Sequence, residues 1–299
     1  MTDVIATTDL ARRFGRIEAF RDLNFGVPEG EAVGLIGENG AGKSTLLRVL
    51  VNLLPPTSGC ASVMGVDSRT LDARAFTRIG YLAAGQDLPH VRTLGDLIAW
   101  CRPFHPTWDA ALTTRLLDML ALTPEQPLRT ASRGTRLKAH VVVTLAFRPP
   151  LLLLDEPLEG LDPLTRDQVV DALLDLMADQ GTTVLLASHD LDVLERLLDR
   201  VAFLQHGTLL FNERLDDLHR RYRRIEIASA GVHPAPHDAF AAFHPFDMVQ
   251  DGDRTQFVTS AYAEHDTERG LREQWPDARL TVTPLSLREV FVAHARGQA

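Results

Sequence analysis

Cysteine is scarce in this chain: Cys60 and Cys101 are the only two in 299 residues. They show no paired metal-ligand spacing and build no disulfide framework, so a reducing compartment is expected and both read as core or surface thiols. An excess of positive charge is also lacking. With 31 Lys and Arg against 40 Asp and Glu, the formal net charge is -9. Nothing therefore draws the whole chain to nucleic acid or anionic lipid, and any such contact needs a local patch. Long apolar runs are missing too. The longest window, "VVVTLAFRPPLLLLDEP", is broken by Arg148, Pro149 and Pro150, short of the ~20 uninterrupted apolar residues of a membrane-spanning helix. A membrane role would have to go through a partner. The opening "MTDVIATTDLARRFG" carries acids early and no continuous apolar stretch, so no secretory signal is expected.

What the chain does have is an ordinary globular composition, 45% hydrophobic and 24% charged, and one dense cluster of glycines, "GLIGENGAGKST" at 34–45. Glycine lets the backbone turn with positive φ and lets a ligand approach main-chain N–H groups. Upstream, "EAFRDLNFGVPEGEAVGLIG" reads as two strands joined by a turn at "PEG". Downstream, "KSTLLRVLVNLL" has helical spacing and stops before Pro55 and Pro56. Strand, glycine loop and helix thus follow in order.

"LGDLIAWCRPF" and "WDAALTTRLLDMLAL" form a helical insert. Beyond it "LLLLDE", "TTVLLASHD" and "RVAFLQHG" read as buried strands, with helices at "TRDQVVDALLDLMADQG" and "LDVLERLLD". That alternation implies a largely parallel sheet. The pattern changes around "LHRRYRR": "RIEIAS", "MVQDGDRTQFVTS", "TERGLREQW" and "ARLTVTPLSLREVFVAH" read as strand, hairpin with a "DG" turn, helix, strand and helix. The expected division is a main domain at 1–217, with its helical insert at about 87–140, and a small α/β accessory domain at 218–299. The basic run at 219–224 reads as a solvated helix end in preference to an RNA or lipid site, because acids precede it and only Tyr222 is interleaved.

Gly37, Gly42, Lys43 and Ser44 satisfy G-x-x-x-x-G-K-[ST] between a predicted strand and a predicted helix, the context the motif requires. Loop N–H groups and the helix N-terminus would hold phosphates, Lys43 would neutralise charge at the β/γ phosphates, and Ser44 would reach magnesium. Asp155 and Glu156 end the apolar run "LLLL". At a strand's carboxyl end one carboxylate can face the metal shell and the next a water, so Asp155 is the metal-side candidate and Glu156 the general base or water-positioning group.

Together "GENGAGKST", "SRGTRLKAH", "LLLLDEPLEGLDP" and "LLASHD" resemble, in order and spacing over residues 1 to about 215, the ATP-binding subunits of ABC transporters. The resemblance implies an α/β P-loop ATPase cassette with a mixed sheet and a helical subdomain insert, binding ATP and Mg2+. It implies a homodimer in which each ATP lies between the glycine loop of one copy and the signature motif of the other. Asn39, Gly40 and Thr45 join the nucleotide-binding set. Ser132 and Gly134 occupy the signature position, where "ASRGT" replaces the family's L-S-G-G-Q; Ser132 can also simply cap the following helix. His189 matches the switch histidine at the γ-phosphate. Asp162 matches the aspartate of the dimer interface, where an aspartate opening a turn before proline would look the same. Phe14 matches the aromatic that stacks on adenine, with a core phenylalanine as the alternative. Gln86 is the candidate for the glutamine that contacts magnesium, although the aligned position falls nearer Ala84.

The segment "RPFHPTWDAALTTRLLDMLAL" and the ending "PLSLREVFVAH" further resemble bacterial exporter-type subunits. The expected function is an ATPase that drives separate transmembrane permease subunits from the cytoplasmic face of the inner membrane, with no nucleic-acid partner. A soluble ABC ATPase acting on ribosomes or DNA is the alternative, against which stand the single cassette and the lack of sustained heptads. A P-loop kinase would need an acceptor-substrate motif, and none is seen.

Overall fold

The structure is a computed structural model that describes residues 3–83, 85–189, 191, 195–228 and 237–296. The chain divides into two compact units, Met1–Asn212 and Glu213–Ala299.

The first unit is built on two sheets. One is antiparallel, with strands β1 (Asp3–Phe14), β2 (Ile17–Pro28), β4 (Ser58–Val63) and β5 (Val66–Asp67) in the order β2-β1-β4-β5. The other has six strands: β3 (Ala32–Ile36), β6 (Ile79–Ala83), β7 (Leu151–Asp155), β8 (Thr183–Ala187), β9 (Arg200–Gln205) and β10 (Thr208–Arg214), ordered β10-β9-β3-β8-β7-β6. Pairing is parallel across β9, β3, β8, β7 and β6. Every residue of β3, β7 and β8 is buried, which is why they read as unbroken apolar runs: a parallel sheet is covered on both faces. The strands on either side of "PEG" do not pair with each other. β2 belongs to the antiparallel sheet and β3 to the parallel one, so the turn carries the chain between sheets.

Helix α1 (Lys43–Leu50) follows the glycine loop directly, and its inner face, Leu46, Leu47, Val49 and Leu50, enters a core shared by both sheets. Helix α2 (Ala73–Phe76) is one turn long. The helical insert lies between β6 and β7 as α3 (Leu94–Cys101), α4 (Ala110–Met119) and α5 (Arg133–Leu145). Each start is fixed by a side chain that satisfies an open backbone N–H. Thr93 forms a capping box with Asp96, Asp109 accepts from Leu112 N–H, and Ser132 accepts from Thr135 N–H. Helix α6 (Pro163–Gln180) begins with a proline at its first position and ends at Gly181 in the left-handed region, φ +63. The helix expected at "LDVLERLLD" falls partly on residues 192–194, outside the described residues.

The second unit comprises α7 (Leu215–Arg221), β11 (Arg223–Ala228), β12 (Pro245–Asp251), β13 (Arg254–Thr259), α8 (Glu264–Gln274), β14 (Arg279–Pro284) and α9 (Leu287–Arg296), with an antiparallel sheet ordered β12-β13-β11-β14. Its core gathers Ile225, Ile227, Phe240, Phe257 and Leu271, and Phe240 stacks on Trp275 at 4.7 Å. The basic run is not a solvated helix end throughout. Arg221 closes α7, Tyr222 is buried, and Arg223 and Arg224 open β11. Arg220 pairs with Asp217, Arg221 with Glu213 and Arg224 with Glu289, while Arg223 donates to the His219 and Tyr222 carbonyls. Burial pushes the Tyr222 hydroxyl up to about 12. Positive charge already matched within the chain offers little to a polyanion.

Candidate functional site

The glycine loop joins the end of β3 to α1, and its backbone needs glycine at specific points. Gly40 and Gly42 have φ of +85 and +106, and a Cβ on Gly42 would lie 2.5 Å from the Ala19 carbonyl oxygen. Lys43 is the first residue of α1 and is buried, with Nζ donating to the carbonyls of Gly37 at 2.7 Å and Glu38 at 3.1 Å. Burial lowers its pKa, against the raising influence of Glu156 and Asp155. The ammonium is thus a desolvated cation held by two loop carbonyls, a ready partner for phosphate oxygens.

The parallel sheet brings Asp155 to this helix from more than a hundred residues away: Ser44 Oγ donates to Asp155 Oδ1 at 2.8 Å. Burial pushes the Asp155 carboxyl above the usual range, the Ser44 hydrogen bond working in the opposite direction. Glu156, next along, stands in the left-handed region at φ +51, a conformation that a non-glycine residue keeps only when its surroundings enforce it. Its N–H donates to the Ala187 carbonyl at 2.8 Å, and its Oε2 lies 3.0 Å from His189 Nδ1. Glu156 and His189 are therefore held together by adjacent strands β7 and β8 (β8 ends two residues before His189).

Lys43, Ser44, Glu156 and His189 wall a cleft of about 500 Å³, lined also by Phe14, Asn39, Gly40, Gly42 and Thr45, while Gly37 and Asp155 are not among its lining residues. Phe14 is 42% exposed at the rim, with the Arg12 guanidinium 4.4 Å over its ring, so it is not a core phenylalanine. Ser132, Gly134 and Asp162 do not line this cleft. Ser132 caps α5, and Asp162 caps α6 by accepting from Thr165 N–H at 3.1 Å and Thr165 Oγ1 at 2.7 Å. Those two hydrogen bonds hold the Asp162 carboxyl below the usual range. Gln86 lies elsewhere as well: its Oε1 accepts from Ala83 N–H at 3.4 Å, and its carbonyl lies 3.1 Å from His140 Nε2. It does not share the cleft that Ser44 lines. The other position for that role, Ala84, lies outside the described residues.

A cleft walled by a glycine loop, a buried lysine, a serine hydrogen-bonded to a strand-end aspartate, and a glutamate–histidine pair is suited to a nucleoside triphosphate. The comparisons agree. The ABC transporter family profile matches residues 20–159. Over 264 residues the chain is 30% identical to the methionine import ATP-binding protein MetN 1 of Bacillus cereus, covering 83% of this chain and 73% of that one. This chain is an ABC transporter ATP-binding subunit.

The subunit is also 27% identical over 297 residues to the ABC transporter ATP-binding protein YtrB of Bacillus subtilis, covering 99% of both chains. It is 34% identical over 217 residues to the daunorubicin/doxorubicin resistance ATP-binding protein DrrA of Streptomyces peucetius, covering 70% of this chain and 64% of that one. A solved structure described as the ATP binding subunit of an ABC transporter superposes with a TM-score of 0.66 at 28% identity, over 73% of this chain and 92% of that one. Members of this family are ATPases coupled to transport, and their cassettes work as dimers with transmembrane subunits. Among the described residues of the ABC subunit no helix is long and apolar enough to cross a membrane.

Four lining residues of the cleft carry no sequence signal of their own: Ile17, Glu18 and Ala19 in the β1–β2 hairpin, and Glu159 in the loop after β7. Ile17 is 73% exposed. An apolar residue two places after a glycine and beside Phe14 was the only available hint.

Proposed function

We propose that the ABC subunit hydrolyses ATP between two copies of itself and so drives separate transmembrane permease subunits of an exporter. One observation carries the reading: the cleft contains the glycine loop, Lys43, Ser44, Glu156 and His189 but not Ser132 or Gly134. The signature residues of one copy are left to meet the nucleotide of another. Gly37, Asn39, Gly40, Gly42, Lys43 and Thr45 hold the phosphates, and Phe14 stacks on the base. The N-terminus of α5, capped by Ser132 and continued by Gly134, faces the partner's terminal phosphate. Asp162 stands at the interface between copies.

Ser44 and Asp155 fit a magnesium ion, which prefers hard oxygen ligands, takes one or two carboxylates and completes its shell from phosphates and water. When bound there, magnesium would neutralise phosphate charge as it develops during transfer. Glu156 orients and deprotonates the attacking water, and His189, within hydrogen-bond reach of Glu156, contacts the γ-phosphate. ATP binding closes the pair, hydrolysis reopens it, and the insert of α3 to α5 passes the motion to the membrane subunits. Those subunits would hold the pair at the cytoplasmic face of the inner membrane.

Export is supported by the likeness of "RPFHPTWDAALTTRLLDMLAL" and "PLSLREVFVAH" to exporter-type subunits and by the kinship with a drug-resistance ATP-binding protein. Glu156→Gln keeps the hydrogen-bonding shape but removes the base. The expected result is intact ATP binding, turnover reduced at least a hundredfold and an ATP-trapped dimer on size exclusion. Hydrolysis at the normal rate would remove Glu156 from this role. Detergent pull-down of the tagged chain from membranes is expected to bring integral membrane subunits, and cosedimentation with ribosomes instead would overturn the transport reading.

A further inference from the structure

Arg133 stands where the family's signature has its first glycine, and the structure gives it a definite partner. Its Nη2 lies 3.0 Å from Oε2 of Glu159, in the loop between β7 and α6. Gly160 beside it has φ +75, and a Cβ there would be 3.4 Å from the guanidinium carbon. The flat group therefore lies close over a stretch of bare backbone.

Glu159 belongs to two walls at once. One is the phosphate cleft, with Lys43, Ser44, Glu156 and His189. The other is a neighbouring cavity of about 400 Å³, with Glu156, Arg133, Arg136 and His140. The ion pair thus joins the acidic side of the cleft to the first turn of α5. Both partners are largely exposed, with side chains 60% and 45% accessible. Such a contact is weak and readily exchanged for a better one. A triphosphate is a better one, because it offers several oxygens to a planar five-donor fork where Glu159 offers a single oxygen at hydrogen-bond distance. Arg133 does not line the cleft of its own copy. The phosphate within its reach is then that of the facing copy, a step that rests on the paired site proposed above.

We infer that Arg133 contacts the terminal phosphate of the partner copy's ATP and that Glu159 holds it in reserve until the copies pair. The two residues of the ion pair therefore act in opposite directions. Removing Arg133 removes a phosphate ligand, whereas neutralising Glu159 releases that ligand and takes a negative charge away from the phosphates.

The test uses the full chain in the Glu156→Gln background with magnesium and ATP, and reads dimer formation by analytical ultracentrifugation. Adding Arg133→Gln is expected to weaken ATP-driven pairing about tenfold, Arg133→Lys to weaken it less, and Glu159→Gln to tighten it several-fold. ATP affinity of the monomer, measured at concentrations too low for pairing, is expected to stay unchanged in Arg133→Gln. A merely structural ion pair would make Arg133→Gln and Glu159→Gln shift pairing in the same direction, and that result, or no shift in either, overturns the inference. Loss of monomer affinity in Arg133→Gln would place the contact within one copy and also overturn it. Failure of Glu156→Gln alone to pair is a separate outcome: it removes the paired site itself, and the inference falls with it.

Discussion

Gly42→Ala isolates how tightly the phosphate loop is seated. Gly42 precedes α1 at φ +106, where an L side chain costs about 1–3 kcal/mol. Its Cβ would lie 2.5 Å from the Ala19 carbonyl oxygen, against 3.4 Å for ordinary contact, so loop and β2 must part by about 0.9 Å (3.4 − 2.5). A strand carbonyl cannot rotate aside as a side chain would, and overpacking of this kind costs a further ~1–3 kcal/mol. Gly40→Ala is the internal control: its φ is +85, yet its Cβ would meet nothing within 4 Å, so it carries the backbone cost alone. The difference between the two variants, ~1–3 kcal/mol, corresponds to roughly 2–12 °C in Tm for a unit of this size. Calorimetry of the nucleotide-free proteins measures it. The same displacement moves the N–H groups at the start of α1, so ATP affinity is expected to fall further in Gly42→Ala than in Gly40→Ala. Equal Tm values and equal affinities would refute the packing reasoning.

Two further outcomes follow from the charges of the site. Lys43→Ala removes the desolvated ammonium that bridges the Gly37 and Glu38 carbonyls; ATP affinity should drop at least tenfold, and titration showing undiminished affinity would exclude Lys43 from phosphate binding. Burial raises the native Asp155 pKa, so the native state keeps this proton to higher pH than the unfolded chain. Stability of the nucleotide-free protein should therefore decline as pH rises from about 3.9, the unfolded value, through the raised native one, and stay lower above it. Asp155→Asn, which can still accept from Ser44, should flatten that decline and raise Tm at neutral pH while losing the protection given by magnesium and ATP; a lower Tm in Asp155→Asn at neutral pH would contradict this.

Much of the fold was legible because its signals are local. The runs ending at Ile36, Asp155 and Ala187 are continuous because the strands are covered on both faces, and the starts of α3, α4 and α5 are marked by Thr93, Asp109 and Ser132. In the second unit the "DG" turn, with Gly252 at φ +59, marks the β12–β13 hairpin. Other features were not legible. Nothing local says that the strands around "PEG" belong to different sheets, because a turn of the same composition serves a hairpin equally well. The basic run misleads because charge patterning cannot show that Tyr222 is buried and that the flanking arginines find Glu213, Asp217 and Glu289.

The sequence by itself determined which chemistry is available: a glycine loop ending in Lys43 and Ser44, two acids at the end of a buried run, and a histidine after the next strand. Tertiary structure alone decided which of these meet. Ser44 reaches Asp155, and Glu156 reaches His189, only because β3, β8 and β7 lie side by side in a parallel sheet. It also turned Gln86 back on its own strand, committed Asp162 to a helix cap and gave Arg133 to Glu159. The reason is physical: a motif fixes residue types and local backbone, whereas contacts between segments far apart in the chain are set by strand order and packing.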